Sequence, residues 1–234
     1  MRLLRGHGAA LAVTFALFSG AAIAASVAPA STDRVAAQGA VSDALAATIA
    51  TCAACHGEKG VSTDPRYPDL AGQKPGYLVK ALHDFQSGAR TSDLMQPFAT
   101  ALGPDQVTAI AAYFARQTPA TPKKADSDLA RAGKIVFTAR GQGHPPCASC
   151  HTAGGLLGGV MGRMMGGGMM GGGMRMTDPA ITPNLAAQSA SYLKSALDAF
   201  ASGARADPVM SPIAKSLTQT EREAVAAYLA GLKG

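Results

Sequence analysis

The sequence predicts an all-α chain of two tandem domains. Three observations carry that prediction: a long internal repeat, apolar positions at helical spacing, and one Cys-x-x-Cys-His motif in each half. The repeat comes first, because missing one misassigns a fold. Pro68-Asp69-Leu70-Ala71-Gly72-Gln73 matches Pro183-Asn184-Leu185-Ala186-Ala187-Gln188 at an offset of 115 residues. The same offset pairs Tyr77 with Tyr192, Leu78 with Leu193, Leu82 with Leu197 and Phe85 with Phe200. It also pairs Ser87-Gly88-Ala89-Arg90 with Ser202-Gly203-Ala204-Arg205, Met95 with Met210, Pro97 with Pro212 and Ala112-Tyr113 with Ala227-Tyr228. One offset held over that distance means two copies of one structural unit.

The elements follow in order. Leu78, Leu82 and Phe85 fall at i, i+4 and i+7, one face of a helix that Gly88 then stops. Leu193, Leu197, Phe200 and Gly203 repeat the pattern. The last helix of the second half opens at a capping box, Thr218 with Glu221. Its counterparts in the first half are Gly103 and Gln106, with Pro104 at the favoured first helical position. No stretch alternates as a strand would. Residues Gln117–Lys124 are polar and contain two prolines, which marks an inter-domain linker. The expected organisation is a signal peptide at 1–24, a first domain at 25–118, a linker at 119–127 and a second domain at 128–234. A Met/Gly-rich insert at 154–178 lies inside the second domain.

Composition narrows the class. Hydrophobic residues make up 47% but many are alanine, only 5% are aromatic and there is no Trp. Such a chain fills a large core poorly, and two small domains wrapped around bulky apolar cofactors suit it better. Arg2 and Arg5, the apolar run Ala9–Phe18 and the small-residue triplet Ala22-Ile23-Ala24 read as an export signal cleaved after Ala24. Ala28-Pro29-Ala30 is a weaker second cleavage candidate. An uncleaved anchor is the competing reading, with Gly8–Ala30 uncharged and near bilayer length but weakly hydrophobic in its second half. The expected location is the periplasm, with the product either free or loosely membrane-attached. The formal charge of +6 includes Arg2 and Arg5. No basic run or aromatic–basic stripe points to nucleic acid.

All four cysteines sit in Cys52-Ala53-Ala54-Cys55-His56 and Cys147-Ala148-Ser149-Cys150-His151. None is left for a disulfide or a nucleophile. This spacing attaches c-type haem: both thiols form thioethers with the vinyl groups while the adjacent His reaches the iron. A zinc site would need four ligands clustered from paired motifs. A thioredoxin-like redox pair needs no following His and sits in an α/β pattern that is absent here. The prediction is two covalently bound haem c groups, held at Cys52, Cys55, Cys147 and Cys150, with His56 and His151 on the irons.

The methionines supply the remaining ligands. Of ten, one is the initiator and seven lie between Met161 and Met176, leaving Met95 and Met210 at the same position of each repeat. Each stands two residues before a proline, in a loop expected after the Phe85 or Phe200 helix. His/Met coordination is a standard way for cytochromes c to raise their potential, so Met95 and Met210 are the expected axial partners.

On these residues the sequence resembles the cytochrome c4 family, di-haem proteins made of two class I cytochrome c domains. The resemblance rests on both haem motifs, Pro-x-Leu-Ala-x-Gln, Tyr-Leu, Ser-Gly-Ala-Arg, Met95 and Met210, and runs from about Asp43 onward apart from the insert. It implies that Pro68 and Pro183 offer carbonyls to His56 and His151, bonds that fix an imidazole's orientation. Arg90 and Arg205 are either propionate partners or exposed surface arginines. It further implies redox partners: a quinol-oxidising complex or a dehydrogenase as donor and a terminal oxidase as acceptor. One departure is that Gly57 follows the first motif and Thr152 the second.

Part of the second half has no counterpart. His151 and Met210 are 59 residues apart against 39 for His56 and Met95. Within the extra length, residues 161–176 are seven Met, seven Gly and two Arg. Three readings compete: a low-complexity loop, a Cu(I) site of soft thioethers at Met161–Met176, and an adaptable docking surface. His83 and His144 read as solvated histidines rather than ligands. Two closed His/Met haems make an electron carrier and not an enzyme. The alternatives are an enzyme or dehydrogenase subunit with one open haem, and a copper-handling protein. A dehydrogenase of the kind that uses a Cys ligand would need a fifth cysteine.

Overall fold

The first half starts with α1 (Thr32–His56), which ends on the first haem motif, and continues through α2 (Pro75–Ser87), α3 (Met95–Thr100) and α4 (Pro104–Ala115). The second half runs α5 (Ser127–Thr138), α6 (Ala148–His151), α7 (Ala190–Ser202), α8 (Met210–Ser216) and α9 (Gln219–Ala230). This computed structural model describes residues 32–124, 126–139, 143–151 and 178–233, with side chains from residue 43 onward except Ser127. The expected signal peptide and the stretch 161–176 lie outside the described residues. Among the described residues no strand occurs, only an isolated antiparallel bridge between Arg90 and Arg205. The all-α prediction holds, and no described helix is long and apolar enough to cross a membrane.

Local sequence explains the helix ends. Gly88 and Gly203 stop α2 and α7 with φ of 76° and 86°, the left-handed region that favours glycine. At the start of α9 the Glu221 N–H donates to Thr218 Oγ1 at 3.2 Å, while the Thr218 N–H donates to Glu221 Oε2 at 2.7 Å. The first half has only half of this device. The Gly103 N–H donates to Gln106 Oε1 at 3.0 Å, and Gly103 has no side chain to return the bond.

Each half has its own core. Leu78, Ile110, Ala111 and Phe114 form one, with Leu45 and Ile49 of α1 packed against it. Val136, Phe137, Leu193, Leu217, Val225 and Leu229 belong to the other. There α5 crosses α9 at Gly133, where a Cβ would stand 1.9 Å from the Ala224 carbonyl oxygen. Helix propensity disfavours glycine at that position, and the close backbone approach requires it.

Ala40–Gly234 form one compact unit that holds both halves. Within it the halves grip each other reciprocally. Gln73 Nε2 donates to the Asn184 carbonyl at 2.9 Å, and the Asn184 N–H donates to Gln73 Oε1 at 2.8 Å. Gln188 repeats this on Asp69, at 2.9 Å to its carbonyl and 2.8 Å from its N–H. Each glutamine therefore clamps the residue equivalent to its own half's clamped residue, the logic of an isologous dimer interface within one chain. The linker is pinned across this junction. The Lys123 N–H donates to the Ala230 carbonyl at 2.8 Å, and its ammonium to the Ala187 carbonyl at 3.0 Å and to the Asp69 carboxylate.

Candidate haem-binding site

The histidines are the fixed points. His56 Nδ1–H donates to the Pro68 carbonyl at 2.8 Å and His151 Nδ1–H to the Pro183 carbonyl at 3.1 Å. A carbonyl only accepts, so each bond sets the tautomer and leaves Nε2 with its lone pair, the arrangement a metal-bound imidazole needs. Burial pushes both imidazoles below their ordinary pKa, against the opposing pull of those carbonyls, and so favours the neutral ligand form. The cysteines show the same environment. Burial pushes the Cys52 and Cys147 thiols up.

One connected cavity of about 1590 Å³ is lined by Cys52, Cys55, His56, Met95, Cys147, Cys150, His151 and Met210, together with largely apolar neighbours. It exceeds the roughly 300–1,000 Å³ of an ordinary small-molecule pocket. All eight residues singled out in the sequence are therefore brought to its walls. The methionines do not sit in loops as expected. Met95 and Met210 are the first residues of α3 and α8. The Met95 N–H donates to Ser92 Oγ at 3.1 Å and the Met210 N–H to Asp207 Oδ1 at 2.8 Å, because a polar side chain three residues earlier satisfies the first free donors of each helix.

The cavity also fits an acidic, flat cofactor. Arg90 and Arg205 line it half-buried, and among the described residues neither forms an ion pair. Arg90 lies 4.5 Å from the Phe85 ring centroid and donates to Tyr192 Oη at 3.3 Å. Arg205 lies 4.4 Å from the Phe200 centroid and donates to Tyr77 Oη at 3.4 Å. They are not simple surface arginines, and their unpaired charges suit propionates. His83 is exposed, as expected, and bonds Gln86 Oε1 at 2.8 Å. His144 departs from expectation. It is buried, with Nδ1 2.9 Å from the Pro145 carbonyl and Nε2 without a partner among the described residues.

Comparison with known proteins settles the family. Residues 130–233 match the cytochrome c family, and residues 40–114 match cytochrome c oxidase, cbb3-type, subunit III. The structure resembles reduced recombinant cytochrome c4 from Pseudomonas stutzeri with a TM-score of 0.67 and 30% identity, over 82% of this chain and 98% of that one. The chain is 37% identical to a cytochrome c4 of Thiocapsa roseopersicina over 186 residues, 77% of this chain and 86% of that one. The chain belongs to the cytochrome c4 family. Like other cytochrome c4 proteins it is a di-haem c-type electron carrier with covalently bound haem c, and Cys52/Cys55 and Cys147/Cys150 fit the attachment motifs. It is also 34% identical to a thiosulfate dehydrogenase electron acceptor of Stutzerimonas stutzeri, over 77% of this chain and 78% of that one.

Several residues that shape the site were visible in the sequence only as marks of the repeat. Gln73, Gln188, Tyr77 and Tyr192 aligned without a stated role. Their equivalence was the available signal, because a polar residue retained at the same place in both copies has the same bond to make twice. Asp69, Lys74 and Lys123 gave no signal of this kind, since none has an equivalent of like charge in the other half.

Proposed function

We propose that each iron is held between histidine and methionine, His56 with Met95 and His151 with Met210, and that the protein shuttles electrons in the periplasm without catalysing a reaction of its own. The observation that supports this most is that all four residues line one cavity with both thiol pairs, at equivalent positions of the two halves. Bound haem supplies a one-electron couple; the chain supplies closure. Haem held by both a histidine and a methionine of the chain would exchange an electron with little rearrangement and would leave no place for a small-molecule substrate. The donor is a quinol-oxidising complex or a dehydrogenase and the acceptor a terminal oxidase. Similarity to a dehydrogenase's electron acceptor supports the first half of that route. The chain reaches the periplasm by the signal at 1–24. Cu(I) capture by Met161–Met176 is a separable reading, tested by whether Cu(I) binding disappears on deleting those residues.

Exposure of the reduced holoprotein to carbon monoxide tests closure. Closed haems leave the spectrum unchanged. Prompt binding of one carbon monoxide per chain would show an open haem and move the protein to the enzyme class, and turnover of thiosulfate would do the same.

A further inference from the structure

The helices that open on Met95 and Met210 are too short to be stable alone. α3 has 6 residues and α8 has 7, well under the roughly 12–15 at which an isolated helix becomes even marginal in water. Ser92 and Asp207 fix their first turns. Their far ends present the carbonyls of Ala99 and Leu102 in the first half and, at the repeat offset, of Ala214 and Leu217 in the second. Ala99 and Ala214 are fully buried, so donors to those carbonyls must come from the protein.

A different residue answers in each half. Gln86 of α2 donates from Nε2 to the Ala99 carbonyl at 2.9 Å and to the Leu102 carbonyl at 3.0 Å. Its equivalent, Ala201, has nothing to donate. Arg222 of α9 donates there instead, from Nη1 to the Ala214 carbonyl at 3.3 Å and to the Leu217 carbonyl. The equivalent of Arg222 is Val107. Behind each donor stands one shared position. His83 Nδ1–H donates to Gln86 Oε1 at 2.8 Å, and Asp198, the equivalent of His83, accepts from Arg222 Nε at 2.7 Å. Lys194 adds a second bond to Asp198 at 2.8 Å, where the first half has Val79. The first tether is built on α2 alone through an amide, and the second is an ion pair that joins α7 to α9. Unrelated side chains from different helices reach the same pair of carbonyls, which marks a demand at that spot and not an inheritance from the repeat.

We propose that Gln86 and Arg222 are the positioning residues of the two methionines. Each ties down the far end of its methionine helix, Gln86 with His83 behind it and Arg222 with Asp198 behind it, and so keeps Met95 or Met210 at the cavity wall. Releasing one tether loosens one methionine and opens one site while the other half stays closed. This rests on the methionine ligation proposed above.

The test is the rate of carbon monoxide binding to the reduced full-length holoprotein, read beside its NMR spectrum, where a ligating methionine gives a strongly upfield-shifted methyl signal assigned to each half. The wild type shows two such signals and resists carbon monoxide. Q86E keeps the shape of Gln86 without its donors, and R222M keeps an apolar stem without the guanidinium. Each is expected to speed binding at the haem of its own half about tenfold or more, the scale of stranding buried carbonyls. The methyl signal of that half broadens or disappears and the other is unmoved. H83A and D198N, at more exposed positions, act in the same direction by about two- to threefold, and R222K, which returns a donor, recovers part of the loss. A fall in thermal stability with both sites still closed, or equal opening of both haems, would reveal a merely structural role and overturn the proposal. Failure of the ligation itself is read separately, as the absence of the methyl signals in the wild type, and would overturn both readings.

Discussion

The two halves present the same cavity wall with different degrees of completion, and the differences separate what the haem site requires from what is free to vary. In both, a proline carbonyl holds the histidine, an arginine lies over a phenylalanine and a methionine opens a short helix. These features are the requirement. The cap of the last helix varies, being a full box at Thr218 and half of one at Gly103. Charge varies as well, since Asp69 faces a buried junction where its counterpart is an amide. A repeat under one chemical demand keeps the groups at the cavity wall and lets the surroundings drift.

The comparison is broken most severely by removing one cofactor. Replacing Cys147 and Cys150 with alanine halves the haem absorbance per chain and unfolds the second half, because a core so poor in aromatic residues loses the body it packs around. Circular dichroism then shows a loss of helix, with the first half retained. The next largest effect is expected at Gly133. G133A drives a Cβ into the Ala224 carbonyl, and overpacking of this kind costs about 1–3 kcal/mol or more. Thermal unfolding of the holoprotein measures it.

The clamps between the halves come next. Q73A leaves the Asn184 N–H and carbonyl without their partner, and Q188A does the same to Asp69. Each is expected to cost about 1–3 kcal/mol, the range for stranding buried polar groups. Faster hydrogen exchange should appear at the amide of residue 184 in Q73A and of residue 69 in Q188A. The double variant should cost less than the sum, since both clamps hold one junction.

The smallest effect sharpens the comparison at the caps. The Thr218 N–H, and then its hydroxyl, hold the Glu221 carboxyl below the usual carboxylate range. A lowered folded-state pKa means the cap's contribution is complete above the ordinary glutamate value and is lost as pH falls through the lowered one. Gln106 has no such titration, so the first half keeps its half-cap in acid. E221Q should remove this part of the acid dependence. G103S, which supplies the missing hydroxyl, should add a few tenths of a kcal/mol to the first half.

The sequence carried the parts of this account that repeat or that have a fixed spacing. Two Cys-x-x-Cys-His motifs, Met95 and Met210 at one offset and the Gly88 and Gly203 stops are local or periodic signals, and the two glycines end α2 and α7 where the pattern places them. What was not legible depends on contacts between distant segments. Lys123 looked like a linker residue, yet it meets Asp69, Ala187 and Ala230 only once both halves are folded. His144 reads as solvated on the general tendency of polar side chains to stay at the surface, but packing buries it. The methionines were expected in loops because a proline two residues on suggests a break. Proline is tolerated in the first turn of a helix, and there it stands within α3 and α8.

The central claim is that the two halves hold the same closed site, histidine on one side of the iron and methionine on the other. The most direct test is the absorption spectrum of the oxidised holoprotein at the red edge of the visible, where methionine bound to ferric iron gives a weak band. The account predicts a band of two-haem intensity that falls by half in M95A, by half in M210A, and vanishes in the double variant. A wild-type band of one-haem intensity, or a high-spin ferric signal, would contradict it.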